Sequence, residues 1–467
     1  MAERLWLRQP RAVYDPLAAQ PDTPVDVAGG LVVDVGDGRI VERIPAGGRP
    51  SQACDVFDAR GLVLLPGLIN THHHFYQTLT RAYDKALNKP LFGWLTSLYP
   101  VWQHLTDEMI DVSTRMAVAE LLLSGATTVV DHHYVFSATL ANAIDTQAAA
   151  CAEMGIRAIL TRGSMSLGAS AGGLPPDAVV QGDDEIMQDS ERLIARWHDA
   201  APHAMCQIVL APCSPFSVRP ELLRATADLA ARHGVGLHTH LAETHDEDAF
   251  CMAQFGARPV DHLEGCGWLR PGTWFAHGIH FQPQEIARLG AAGVGVAHCP
   301  TSNMMLGSGI CCVSELQRAG VAVGLGVDGS ASNDHSNLIQ EARAALYAQR
   351  LRAGLGGAEG TSSEALFGHL EALRIATRGG AELLGRDELG SLSVGSAADL
   401  ALYALDEPRF SGAQNALAAL LLSGAHRACD VMVRGRWRVR AGRLVGVDLR
   451  ALQARHDKLA HQLWDAC

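Results

Sequence analysis

The stretch Val63-Leu64-Leu65-Pro66-Gly67-Leu68-Ile69-Asn70-Thr71-His72-His73-His74 runs from apolar residues straight into three consecutive histidines. A short apolar run of this kind reads as a buried strand. Side chains alternate across a strand, so His72 and His74 face one way and His73 the other. Two imidazoles on one face at a strand end form a chelating pair.

Seven further apolar runs follow, at 127–130, 157–161, 207–211, 236–241, 273–277, 294–298 and 323–327, the first run being 63–69. Helical patterns such as 220–233 and 336–352 separate several of them. Strands alternating with helices indicate a parallel sheet, and eight such units favour an α/β fold of the (β/α)8 TIM barrel type over an open doubly wound sheet. Active sites of such barrels lie at the carboxyl ends of the strands. The fifth run ends His238-Thr239-His240-Leu241-Ala242-Glu243, the sixth Ala276-His277 and the eighth Val327-Asp328-Gly329. A lone histidine in a strand is more often a satisfied core residue than a ligand, yet this constellation repeats at one end of several strands.

The residues therefore predict a divalent metal held by His72, His74, His240 and Asp328. Imidazole with carboxylate suits Zn2+, and Fe2+ equally. An open position on the metal would hold a water, whose pKa would fall from about 15.7 to near 7, so the nucleophile would be solvent. His238 shares the parity of His240 and is expected behind the ligands. His298, ending the seventh run, either lines the barrel mouth or is structural.

Short β-rich patterns fill both ends of the chain, including Gly30-Leu-Val-Val-Asp-Val and Val431-Met-Val-Arg-Gly-Arg-Trp, where Arg434-Gly435-Arg436 suits a hairpin turn. Residues 1–65 with 385–467 are expected to form one small β-sandwich domain, and 66–384 the catalytic barrel. The chain's 467 residues accommodate both. A net charge of −12, from 50 acidic and 38 basic residues, repels phosphate backbones and anionic lipid, which argues against a nucleic-acid partner. No stretch approaches the roughly 18 apolar residues of a membrane span, and the N-terminus lacks a secretory pattern, so a cytoplasmic protein is expected. The 11 cysteines are scattered and odd in number, which argues against a disulfide framework. Neither G-x-G-x-x-G nor G-x-x-x-x-G-K-[ST] occurs. Symmetric assembly is common among barrel enzymes, and the sequence leaves a homo-oligomer open.

In combination, Leu65 to His74, His240-Leu-Ala-Glu243, Ala276-His277, Leu325-Gly-Val-Asp328-Gly-Ser-Ala-Ser and Gly395-Ser-Ala-Ala-Asp399-Leu resemble the amidohydrolase superfamily over essentially the whole length. Members with two metals usually bridge them with a carbamylated lysine ending strand four. Here that strand ends Ala211-Pro212-Cys213-Ser214, and the only lysines are Lys85, Lys89 and Lys458. The resemblance thus implies one metal per chain and a deaminase rather than a ring-opening enzyme. It further implies that Glu243 shuttles a proton to a ring nitrogen. Asp328, besides binding metal, would pass a proton from water to the departing ammonia, and His277 would polarise the hydroxide.

The loops after the strands combine flat apolar faces with polar donors, as recognition of a planar heterocycle requires. They look like those of bacterial 8-oxoguanine deaminases. That likeness implies a small-molecule substrate of the oxidised-purine type, converted with water to urate and ammonia. Gln77 would contact the ring beside Glu243, and Cys213 and Ser214 its far edge. Trp102 and Tyr134 either stack on the ring or pack in the core. Guanine, isoxanthopterin, cytosine and triazines are alternative substrates, and a catalytically silent scaffold is the non-enzyme alternative.

Overall fold

Eight parallel strands close into a barrel in the computed structural model, which describes residues 3–137, 139–140, 142–356 and 366–466. The strands are β1 (Leu68–Asn70), β2 (Ala126–His133), β3 (Arg157–Ser164), β4 (Cys206–Pro212), β5 (Leu237–Leu241), β6 (Thr273–His277), β7 (Gly295–His298) and β8 (Val323–Leu325). Each pairs in parallel with its neighbour in sequence, and β8 closes onto β1 through Leu325 and Asn70. Strands covered on both faces need no polar alternation, which is why they read as continuous apolar runs.

Two of the expected strands are corrected. The run 63–69 is not one barrel strand: Leu62–Pro66 pairs antiparallel with Leu400–Ala404, and the chain enters the barrel only at Leu68. The crossing is made at Gly67, whose N–H donates to the Asp399 carbonyl (2.8 Å) and where a Cβ would run into the Thr127 side chain. The run 323–327 likewise stops at Leu325. Beyond it, Asp328–Gly329 pairs with His73–His74 as a separate two-stranded extension above the barrel rim.

Six helices bear on the site: α1 (Leu91–Trp102), α2 (Asp107–Ser124), α3 (His245–Phe255), α4 (Pro300–Met305), α5 (Leu338–Gly354) and α6 (Leu449–Asp465). Local capping sets several of their ends. The Thr106 hydroxyl accepts from Met109 N–H (3.3 Å) to start α2, and Gly125, at φ 100°, ends it. The Asn337 side chain does the same for α5.

A four-stranded sheet (39–44, 30–34, 4–8, 55–58) faces a six-stranded one (12–13, 62–66, 400–404, 430–433, 436–440, 443–444). Leu7, Leu31, Val33, Leu64, Leu400 and Met432 pack together between them. Arg434 and Gly435, at φ 48° and 72°, make the two-residue turn that a hairpin of this twist requires. Asp399 ties the six-stranded sheet to the barrel through a buried ion pair with Arg157 on β3 (3.2 Å). Helix α6, grouped with the sheets on sequence, packs instead against α2. Trp464 Nε1 donates to the Leu79 carbonyl (2.8 Å), and His456 Nε2 lies 3.0 Å from Thr78 Oγ1. Met1, Ala2 and Cys467 lie outside the described residues. Among those described, no helix is long and apolar enough to cross a membrane.

Candidate active site

At the carboxyl end of the barrel His72, His74 and His240 turn their rings toward one another, with ring centroids 4.7 to 5.2 Å apart. The two-stranded extension delivers Asp328 to the same point, its Oδ1 lying 3.3 Å from His72 Nε2 and 3.2 Å from His74 Nε2. Asn70 fastens the joint: its amide donates to the His72 carbonyl (3.1 Å), and its Oδ1 accepts from Val327 N–H (2.9 Å). His73 faces away, 2.8 Å from Ser336 Oγ.

The other nitrogen of each ring fixes its proton. His74 Nδ1 lies 2.6 Å from the His132 carbonyl, and His240 Nδ1 2.6 Å from the Cys213 carbonyl; each must donate there. His238 Nδ1 donates to the Trp274 carbonyl (2.9 Å), so its Nε2 can only accept from His72 Nδ1, 2.8 Å away. All three Nε2 atoms therefore carry lone pairs, and those of His74 and His240 face each other at 3.2 Å. Burial holds His72 and His240 well below the ordinary histidine value. Four acceptors without a proton between them fit one divalent cation, each imidazole being oriented by a partner on its far nitrogen.

Glu243 and His277 flank this centre. The Glu243 carboxyl is buried, and burial, followed by the Asp328 and Glu247 charges, raises its pKa well above the ordinary value. Asn303 on α4 donates its side-chain amide to His277 Nδ1 (2.9 Å). That leaves the ring proton on Nε2, 3.4 Å from Glu243 Oε2 and 4.0 Å from Asp328 Oδ2. Burial keeps His277 neutral, its pKa falling to about 4. His277 and Asp328 adopt left-handed backbone, at φ 74° and 62°. Strain of this kind persists only where surrounding structure over-determines it.

A cavity of about 30 Å3 opens beside these groups and is lined by Gln77, Tyr134, Cys213, Glu243, His277 and Asp328, among others. Gln77 fits closely under Gly329, where a Cβ would run into its amide. Tyr134 stands edge-on to the His74 ring, with centroids 5.3 Å apart. Burial pushes the Cys213 thiol up to about 12, leaving it a neutral, weakly polar wall. Ser214 is not on the wall; its hydroxyl lies 2.8 Å from that of Ser217. Nor is Trp102, which packs edge-on against Tyr76, Trp94 and Tyr99 and donates from Nε1 to Thr80 Oγ1 (3.2 Å). Trp94, two turns earlier on α1, lines the cavity instead, with its Nε1 donating to the Ala331 carbonyl (3.0 Å). His298 is buried with neither ring nitrogen hydrogen-bonded and does not line the cavity. A larger groove of about 520 Å3 lies at the other end of the barrel, but no metal-ligating cluster among the described residues lines it.

Sequence reasoning missed a second layer on α4 and α5. Ser302 donates its hydroxyl to Asp328 Oδ2 (2.6 Å) and lies 2.8 Å from Ser332 Oγ. Buried Glu341 on α5 accepts from Thr301 N–H (2.8 Å) and from the Asn333 amide (3.0 Å), anchoring the start of α4 beside the site. Only Pro300-Thr301-Ser302-Asn303, directly after a strand end, hinted at this. Ser302→Ala should remove the donor to Asp328 and lower kcat/KM roughly 10- to 100-fold, the usual effect of losing such a partner. Steady-state kinetics on fully metal-loaded protein would check this.

The model of the amidohydrolase family matches residues 63–438, and the chain belongs to that family. It is 58% identical over 98% of its length to 8-oxoguanine deaminase from Pseudomonas aeruginosa, covering 99% of that protein. It is 38% identical to hydroxydechloroatrazine ethylaminohydrolase from Pseudomonas sp. (strain ADP), over 84% of this chain and 82% of that one. A zinc-complexed crystal structure of atrazine chlorohydrolase from Arthrobacter aurescens superposes with a TM-score of 0.88 at 32% identity, covering 98% of this chain and all of the other.

Proposed function

We propose that this amidohydrolase removes the exocyclic amine from a purine-type ring, with 8-oxoguanine and water giving urate and ammonia. The observation that carries the reading is Glu243: a buried carboxyl, its pKa raised by burial, 3.4 Å from His277 and beside a cluster of metal-ligating acceptors. The 58% identity to an 8-oxoguanine deaminase supports the choice of ring.

The ligands are His72, His74, His240 and Asp328, and the metal is one zinc ion per chain; ferrous iron suits the same donors. Such an ion, when bound, lowers the pKa of water toward about 7. Glu243 delivers its proton to the ring nitrogen as the water oxygen bonds to the amine-bearing carbon. Asp328 takes one water proton and hands it to the amine, which leaves as ammonia when the C–N bond breaks. Glu243 recovers the second water proton from the new hydroxyl as the carbonyl forms. His277, donating from Nε2, orients the attacking oxygen. Gln77 holds the ring edge beside Glu243, Tyr134 offers its flank, and Cys213 contacts the far edge. Ser214 and Trp102 act one layer back, supporting that wall. A cavity of about 30 Å3 has room for roughly two waters.

The division into a terminal sandwich (1–65 with 385–467) and a barrel (66–384) belongs to this reading. So do a cytoplasmic setting, a small-molecule partner without nucleic acid, and freedom to form a homo-oligomer. On zinc-loaded enzyme, kcat/KM for 8-oxoguanine should exceed that for guanine, isoxanthopterin and cytosine, by factors of up to about 10^4 if buried polar groups read the C8 oxygen. The four rings, compared by ammonia release, test the assignment, and a larger value for any other ring overturns it. Chloride or alkylamine release from a matched triazine panel would favour the triazine alternative.

A further inference from the structure

Glu243 follows a turn that the chain does not adopt cheaply. Ala242, just past the end of β5, sits at φ 54°, a left-handed conformation unfavourable for a residue with a Cβ. Two sets of hydrogen bonds hold it there. On one side, the Ala242 carbonyl accepts from Ile279 and His280 N–H (2.9 Å each), just past His277. On the other, Glu247 in the first turn of α3 reaches back to the turn. Its Oε1 accepts from Ala242 N–H and its Oε2 from Glu243 N–H, both at 3.0 Å. Glu247 is buried at 1% exposure, and no cationic side chain among the described residues is hydrogen-bonded to it; the nearby Arg258 pairs with Asp248 and Glu285. A buried carboxyl directed at two backbone N–H groups, with no ion pair of its own, is costly to keep as mere packing.

We propose that Glu247 is a positioning residue for the proton-carrying Glu243: its two oxygens clamp the Ala242–Glu243 backbone and aim the Glu243 carboxyl at the substrate nitrogen. The role rests on the assignment of Glu243 made above. Burial pushes the Glu247 carboxyl up to about 8, although the two backbone N–H groups favour its ionised form; ionised, it offers two acceptors on one planar group, which glutamine does not. Glu247→Gln keeps size and shape but turns an NH2 toward one of the two N–H groups. One hydrogen bond is lost and a donor is left facing a donor.

The test is deamination of 8-oxoguanine by metal-loaded, full-length enzyme carrying E247Q, E243Q or both. E247Q should lower kcat roughly 10- to 100-fold, hold KM within about threefold and retain one metal per chain. In the E243Q background, adding E247Q should cost nothing more, because the residue it positions is already disabled. Wild-type kcat in E247Q overturns the role, as does an equal further loss in the E243Q background, which would mark a general structural effect. If E247Q does not fold, E247D takes its place. Its carboxylate, one methylene shorter, should reach at most one N–H and lower kcat at unchanged KM, and wild-type kcat there overturns the proposal too. An active E243Q would instead sink the reading of Glu243 itself, whereas an inactive E243Q with a fully active E247Q sinks only the clamp.

Discussion

Replacing Glu243 with glutamine is expected to lower kcat by about 10^3- to 10^4-fold while leaving the metal content of the purified protein unchanged. Glutamine has nearly the same volume and retains hydrogen-bonding capacity, but it cannot release a proton to a ring nitrogen. The large factor follows from the environment of the native residue. Burial, followed by the Asp328 and Glu247 charges, raises the Glu243 carboxyl well above its ordinary value, and the group lines the cavity beside His277, where it favours the proton-carrying form of a general acid. None of the four converging ligand atoms belongs to Glu243, so the metal should stay. Metal analysis alongside single-turnover ammonia release would check both halves. Loss of metal in this variant would mean that Glu243 is a ligand and would overturn its role.

Stripping the protein with a chelator is expected to abolish ammonia release and to lower its thermal stability, with both restored by one equivalent of zinc per chain. His72, His74 and His240 each present a lone pair, with Nδ1 protons committed to His238 and to the His132 and Cys213 carbonyls, and Asp328 adds a carboxylate to the same point. Without a cation these acceptors face one another in a buried space. A ligand at 100 times its Kd stabilises the native state by about 2.7 kcal/mol. For a protein of this size that is roughly 3 °C in Tm. Calorimetry with titrated zinc would measure both the shift and the stoichiometry. Two metals per chain at full activity would overturn the one-metal assignment, which rests on the absence of a lysine ending β4.

Most of the barrel was legible because its strands are covered on both faces, so each appears as an unbroken apolar run wherever the chain passes through the centre. The converging histidines were legible for a related reason: strand parity separates His72 and His74 from His73, which faces Ser336, using only a two-residue period. Three features were not. The run through Gly67 reads as one strand, but the chain changes sheets there because the close approach of Thr127 admits no side chain. Trp94 and Trp102 are equivalent aromatic residues in sequence, and only the docking of α1 turns the first toward the cavity and buries the second. Ser302, Asn303, Glu341 and Glu247 are ordinary polar residues whose meaning depends on what lies across the fold.

The barrel, the metal-ligating residue types at its carboxyl rim and the lack of a lysine at the end of β4 are legible in the chain alone, while the class of chemistry needed the family resemblance as well. These follow from periodicity and composition, which are local. Only the tertiary structure decided how that chemistry is held. It brings Asp328 beside the histidines through a strand pair spanning some 250 residues, fixes the ring protons of His74, His238 and His240 through carbonyls of distant residues and that of His72 through His238, and aims Glu243 through Glu247 on the next helix. Hydrogen bonds between distant segments leave no period in the chain, so folding has to bring them together before they can be read.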